Sequence, residues 1–231
     1  MNRRSLHRGR FIIALLSIVV PPTLLASIPD PADYSMRQFL QQDDTQHPYR
    51  AVRRLEAENG GRRGWLEAVT EYSIENGFSY QVTAEGGSSL VRSKVLRAVL
   101  DGEREMIAGG EDKRSTLALA NYAFQPIGVD DDGLAKILLS PKRKEPALVS
   151  GTMFLQPDDG ALVRLQGRLA KSPSFWVSNV QIVRSYKRIG SIDVPVALES
   201  TAHVRFAGSA SLRMTYVYSE IDGLRVSAAS Q

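Results

Sequence analysis

The chain contains no cysteine. Disulfide staples, thiolate catalysis, thiol redox chemistry and cysteine-bound metal are therefore excluded. A domain of about 200 residues buries roughly 70% of its chain surface and needs no staple. Histidine is scarce as well, with three in all; His47 and His203 are the two outside the N-terminal segment. A zinc site needs three or four ligands, and neither histidine stands near a nucleophile motif. His47 precedes a proline and His203 falls on the polar side of its strand, so both read as surface residues. Asp130-Asp131-Asp132-Gly133 lacks the alternating ligands and closing Glu of a calcium loop. That stretch and Asp158-Asp159-Gly160 read as turns before glycine. Glu103 and Glu105, two apart on a helix, point away from each other. "AEGGSS" lacks the glycine spacing and the lysine of a phosphate loop. No catalytic residue, metal or cofactor is expected, and the chain reads as a non-enzyme.

Long apolar runs are lacking too. "FIIALLSIVV" is short for a membrane span and is cut by Pro21 and Pro22. It follows "MNRRSLHRGR", which holds four arginines and no acid, and leads into "TLLAS". This layout predicts a secretory signal peptide over 1–26, cleaved after Ala26 or Ser27. Arg3-Arg4 also fits a weak twin-arginine signal, with ordinary export favoured. No cysteine follows to be lipidated, so a soluble periplasmic monomer is expected, in transient contact with a membrane at most. The net charge of +4, from 29 basic against 25 acidic residues, resides in the four leader arginines. Nucleic-acid binding needs surplus positive charge in the folded product, so no such partner is expected. Lys142-Arg143-Lys144 reads as a solvated turn beside Pro141.

What is present is mostly period-two patterning. A helix is predicted over 29–46, with acids near its start. A hairpin follows at 49–75 around Gly60-Gly61, with Tyr49, Ala51, Leu55 and Ala57 on one side. Phe78, Tyr80, Val82 and Ala84 share a strand face. Residues 88–121 switch to helical spacing, Leu90, Val91, Val95, Leu96, Val99 and Leu100 lying three or four apart. Gly109-Gly110 divides this stretch, and a second, shorter helix is predicted over Glu111 to Asn121. "YAFQPIGVD" is a strand. "DDDGLAKILLSP" fits a short helix or a strand, and a capped helical turn is favoured. "ALVSGTMFLQP" and "ALVRLQGRLAK" flank a turn at "DDG". "PSFWVSNVQIVRSY" is apolar on both faces, which predicts cover on both: helices on one, a loop, a crossing segment or a ligand on the other. Two long alternating strands, "IDVPVALESTAHVRFAG" and "SASLRMTYVYSEID", complete the chain. The predicted fold class is α+β: a large curved antiparallel sheet, an open half-barrel, with helices covering its concave face. Residues 27–231 form one domain, with a helical insertion at about 88–121.

The N-terminal helix with "HPYRAVRRLEAENG", and above all "ALVRLQGRLAKSPSFWVSNVQIVRSYKRIGSIDVPVALES", resembles the periplasmic lipoprotein-carrier superfamily of LolA/LolB type. That superfamily includes the related N-terminal domain of a periplasmic anti-sigma regulator. A paired strand, a Ser-Pro turn, an aromatic strand ending in Tyr186, a Gly190 turn and a Pro195-bearing strand carry the likeness. It implies an open half-barrel whose helices lie across its mouth, with acyl chains held in the cavity. The implied cargo is a lipid or an acylated lipoprotein. Tyr80, Met153, Phe154, Trp176, Met214 and Tyr216 are candidates for the cavity wall, because aromatics and Met suit irregular apolar surfaces. They serve equally well as core. A second reading keeps the core filled and makes the chain an envelope interaction or sensor module, binding a protein partner along an exposed strand edge.

Overall fold

The computed structural model describes residues 30–42, 45–175, 177–206 and 208–227. The expected leader with Ala26 and Ser27, and the strand residue Trp176, lie outside the described residues. Helix α1 spans Pro31–Leu40. The Asp30 carboxylate accepts from the Ala32 N–H at 3.0 Å, and Pro31 fills a first-turn position whose N–H has no intrahelical partner.

Three strands follow: β1 (Tyr49–Asn59), β2 (Arg62–Ser73) and β3 (Gly77–Gly87). A helical stretch begins with α2 (Ser89–Val91), passes through a π turn at Arg92–Leu96 and ends with α3 (Arg97–Ala108). A π turn takes in an extra residue. Val91, Leu96 and Leu100 thereby come to one buried face although the first pair is five apart. The remaining strands are β4 (Tyr122–Val129), β5 (Ala135–Pro141), β6 (Val149–Leu155), β7 (Leu162–Leu169), β8 (Val177–Ile189), β9 (Ile192–Val204), β10 (Gly208–Ile221) and the short β11 (Leu224–Arg225).

Among the described residues these eleven strands form one antiparallel sheet in the order β3-β2-β1-β10-β9-β8-β7-β6-β5-β4, with β11 on β10. The first long strand therefore pairs with the last. Strands β3 and β4 are the two edges and do not meet, so the sheet stays open. The fold is α+β, as the patterning predicts. One continuous core joins the inner face to the helices: Leu55, Leu66, Ile137, Leu139, Met153 and Leu155 are fully buried with Ala32, Leu96 and Leu100. Each large apolar side chain so buried contributes about 1.5–3 kcal/mol.

Three expectations need correction. The second helix over Glu111 to Asn121 does not form; a single 3-10 turn at Asp112–Arg114 is followed by irregular chain. The buried Asn121 amide donates to the carbonyls of Lys113 and Thr116, each at 2.9 Å, and so holds the loop in another conformation. The favoured helical turn at Asp130 is instead a hairpin turn into β5. Asp130 Oδ1 accepts from the N–H groups of Asp132 and Leu134, and Gly133 takes φ +82°. Finally, β8 is covered on one face only. Its ladder shifts between Ser178 and Gln181, with Asn179 at φ 50°. Ile182 packs inward, whereas Val183 stays 37% and Phe175 69% exposed.

Candidate binding site

Helix α1 packs on β4, β5 and β6, while α2, the π turn and α3 pack on β1, β2 and β3. The inner face of β8, β9 and β10 lies between these two covers. Inner residues beneath the helices, such as Leu66, Ile137 and Leu139, are wholly buried. On the central strands Ile182, Leu198 and Met214 are buried as well, while Val180, Arg184, Tyr186, Ser200, Leu212 and Tyr216 are half-buried. The centre of the half-barrel is thus a shallow trough walled by two helical segments.

Strand register defines its floor. Leu55, Met214, Leu198, Arg184, Leu165, Met153 and Ile137 lie opposite one another on seven successive strands. The six apolar members of this row are at most 9% exposed. Arg184 interrupts it. The next row along, Ala57, Leu212, Ser200 and Ile182, contributes to a depression of about 690 Å³. Most of its lining comes from the outer face, including Trp65, Val183, Glu199 and Arg213, and neither Arg184 nor Tyr216 lines it. Its volume lies in the ~300–1,000 Å³ range of small-molecule sites.

Two inward arginines set the electrostatics. Arg53, with a side chain 3% exposed, donates to both Glu103 carboxylate oxygens at 2.6 and 2.9 Å and also to the Tyr49 hydroxyl. Its guanidinium stacks 4.7 Å from the Tyr216 ring centroid and 5.0 Å from that of Phe78. Burial opposes its charge, but the Glu103 hydrogen bond and neighbouring Tyr216 outweigh that and hold it above the usual guanidinium range. Arg184 is raised as well, by Tyr186 first, against the opposing effect of burial. Its Nε is buried without a partner. Burial likewise pushes the Tyr216 phenol above its ordinary value, with Arg53 and Arg184 pulling the other way. Two cations thus share one carboxylate, Glu103, and Arg53 holds it.

The expected wall residues are only partly gathered here. Met214 and Tyr216 lie on the inner face of β10, Tyr216 against Arg53. Met153 is buried in the same core under the α1 side. Tyr80, on edge strand β3, donates its hydroxyl to Asp101 of α3 at 2.8 Å, fastening that helix to the sheet. Phe154 points to the other face, where Arg164 sits 4.1 Å from its ring centroid. Arg53, Arg184 and Glu103 are absent from the expected set. The available signal was the stripe itself: Ala51 and Leu55 flank Arg53 at period two, and Ile182 and Tyr186 flank Arg184. Among the described residues no cluster of three His, Asp or Glu side chains is placed to hold a metal, and no helix is long and apolar enough to cross a membrane.

No family model matches this chain, and no curated protein does. Solved structures do. A LolA superfamily protein from Nitrosomonas europaea matches at 8% identity and a TM-score of 0.41, over 86% of this chain and 96% of its own. A DUF1329 family protein from Desulfovibrio piger matches at 12% identity and a TM-score of 0.41, over 87% and 98%. MucB in complex with MucA(peri) matches at 9% identity and a TM-score of 0.22, over 81% and 93%.

Proposed function

We propose that this chain is an exported, non-enzymatic binding protein that shelters an acyl chain, free or on a lipoprotein, in the trough over β8–β10. The observation that carries the reading is the set of half-buried inner residues on those strands, Val180, Tyr186, Ser200, Leu212 and Tyr216, which lie between the two helical covers. Burying the methylenes of a hexadecanoyl chain is worth on the order of 10 kcal/mol gross, at ~0.8 kcal/mol each. Native mass spectrometry of protein purified from the periplasm, with solvent extraction of the same sample, tests this. A stoichiometric acylated molecule is the expected result. Protein that carries no lipid and takes up no added fatty acid would overturn the reading.

A protein partner is the second reading, and the two free sheet edges favour it. Strand β3 offers eleven residues and β4 eight, each without a strand neighbour on one side among the described residues. Crosslinking in intact envelopes that recovers one protein and no lipid is the outcome that selects it.

A further inference from the structure

We infer that Arg184 anchors the acidic head of an amphiphile whose chain lies in the trough. This inference rests on the acyl-binding reading and adds the chemistry of the ligand's polar end. The starting point is register: Arg184 occupies the one charged position in a row that is apolar on six other strands. An arginine at such a position is costly unless something pairs it.

Four arginines among the described residues have a buried Nε without a hydrogen-bond partner: Arg53, Arg92, Arg164 and Arg184. Three of them meet a carboxylate through a terminal nitrogen. Arg53 pairs with Glu103 at 2.6 Å, Arg92 with Glu85 at 2.8 Å and Arg164 with Asp130 at 3.6 Å. Arg184 has no such ion pair among the described residues. Its neighbours are the phenols of Tyr186 and Tyr216, and the nearby Glu103 carboxylate has both oxygens engaged by Arg53, so Arg184 has no direct carboxylate contact among the described residues.

The position suits a ligand head. The residue keeps partial exposure, with its Nε buried. Met214 and Leu198, both buried, lie in its own row, and in the next the buried Ile182 stands with Leu212, which is half-buried and offers apolar contact to a chain that extends from the head. A planar guanidinium takes a carboxylate through two parallel hydrogen bonds, which a hydroxyl does not reproduce.

The test compares hexadecanoic acid, hexadecanol and acetate on the intact protein by titration calorimetry, at a pH where the acids are ionised. Hexadecanoate is expected to bind about 10–100-fold more tightly than hexadecanol, as for a hydrogen bond to a charged group. Acetate is expected to bind far more weakly than either. Arg184→Met should erase the preference for acid while leaving hexadecanol affinity unchanged, and Arg184→Lys should keep part of it. Equal binding of acid and alcohol by the unaltered protein overturns the inference and leaves the acyl-binding reading standing. Failure to bind either long-chain probe overturns both. Acetate binding as tight as hexadecanoate makes Arg184 a plain anion site and overturns the amphiphile. The comparison on unaltered protein needs no variant, so it stands even if Arg184→Met fails to fold.

Discussion

Arg53 and Glu103 come from a strand and a helix that are 50 residues apart in the chain, and they meet with the arginine buried and the carboxylate partly exposed. Removing one partner of such a pair leaves the other charge buried and uncompensated, which costs more than the intact pair contributes. Glu103→Gln is therefore expected to lower stability by about 2–4 kcal/mol in urea unfolding, near the low end because Glu103 keeps 24% exposure. Arg53→Met combined with Glu103→Leu should recover most of that loss, since apolar packing replaces a buried pair at little cost. A single-variant loss below about 0.5 kcal/mol would mean that packing alone fixes α3 on β1. The alternation that marks Ala51, Leu55 and Ala57 as inward also fixes Arg53 as inward. It does not supply the partner, because pairing across 50 residues is tertiary information. Met214 and Tyr216 were legible for the same reason that Arg184 was not. Aromatic and thioether side chains advertise burial, whereas a charged one inside a stripe reads as solvated until the register is known.

Among the elements, the hairpins were the most legible and the loops the least. Strands β1, β2, β6 and β7 follow from alternation and glycine turns, both local properties of the chain. The chain at 115–121 carries helical spacing, yet the Asn121 side chain bonds its backbone into a loop, and spacing alone does not reveal that competition. In β8 the irregularity at Asn179 breaks the parity on which a two-faced reading depends. Helix α1 shows how a turn positions a cover. Gly160, in the β6–β7 connection, has φ +67°, and a Cβ there would stand 2.6 Å from the Ser35 carbonyl oxygen and 2.7 Å from the Phe39 nitrogen. Ser35 in turn donates to the Pro157 carbonyl at 3.2 Å. Gly160→Ala is accordingly expected to cost about 1–3 kcal/mol, from backbone strain and from the displaced helix. Hydrogen exchange localises the effect: α1 amides should lose protection before those of β1 and β10. Uniform loss across the sheet would show that α1 is not a separable cover.

For the whole molecule, fold class was legible because nearly every strand alternates, but the closing of β10 onto β1 is not written locally. That pairing puts β8–β10 at the middle of the sheet, between the two helical covers. A sheet whose central inner face is less covered than its flanks should gain stability when that face is filled. For a ligand that binds the folded state alone, saturation at a hundred times its dissociation constant adds about 2.7 kcal/mol. In a domain of this size each kcal/mol moves the midpoint by about 2–4 °C. Hexadecanoate at that excess is therefore expected to raise Tm by roughly 5–11 °C, as followed by circular dichroism. The Arg184→Met protein at the same ligand concentration should gain less, because its affinity for the acid is lower. With hexadecanol the two proteins should gain equally. A Tm that does not move with either ligand would mean that the trough is closed by side chains already present, and the free edges of β3 and β4 would then be the surfaces to probe with peptide partners.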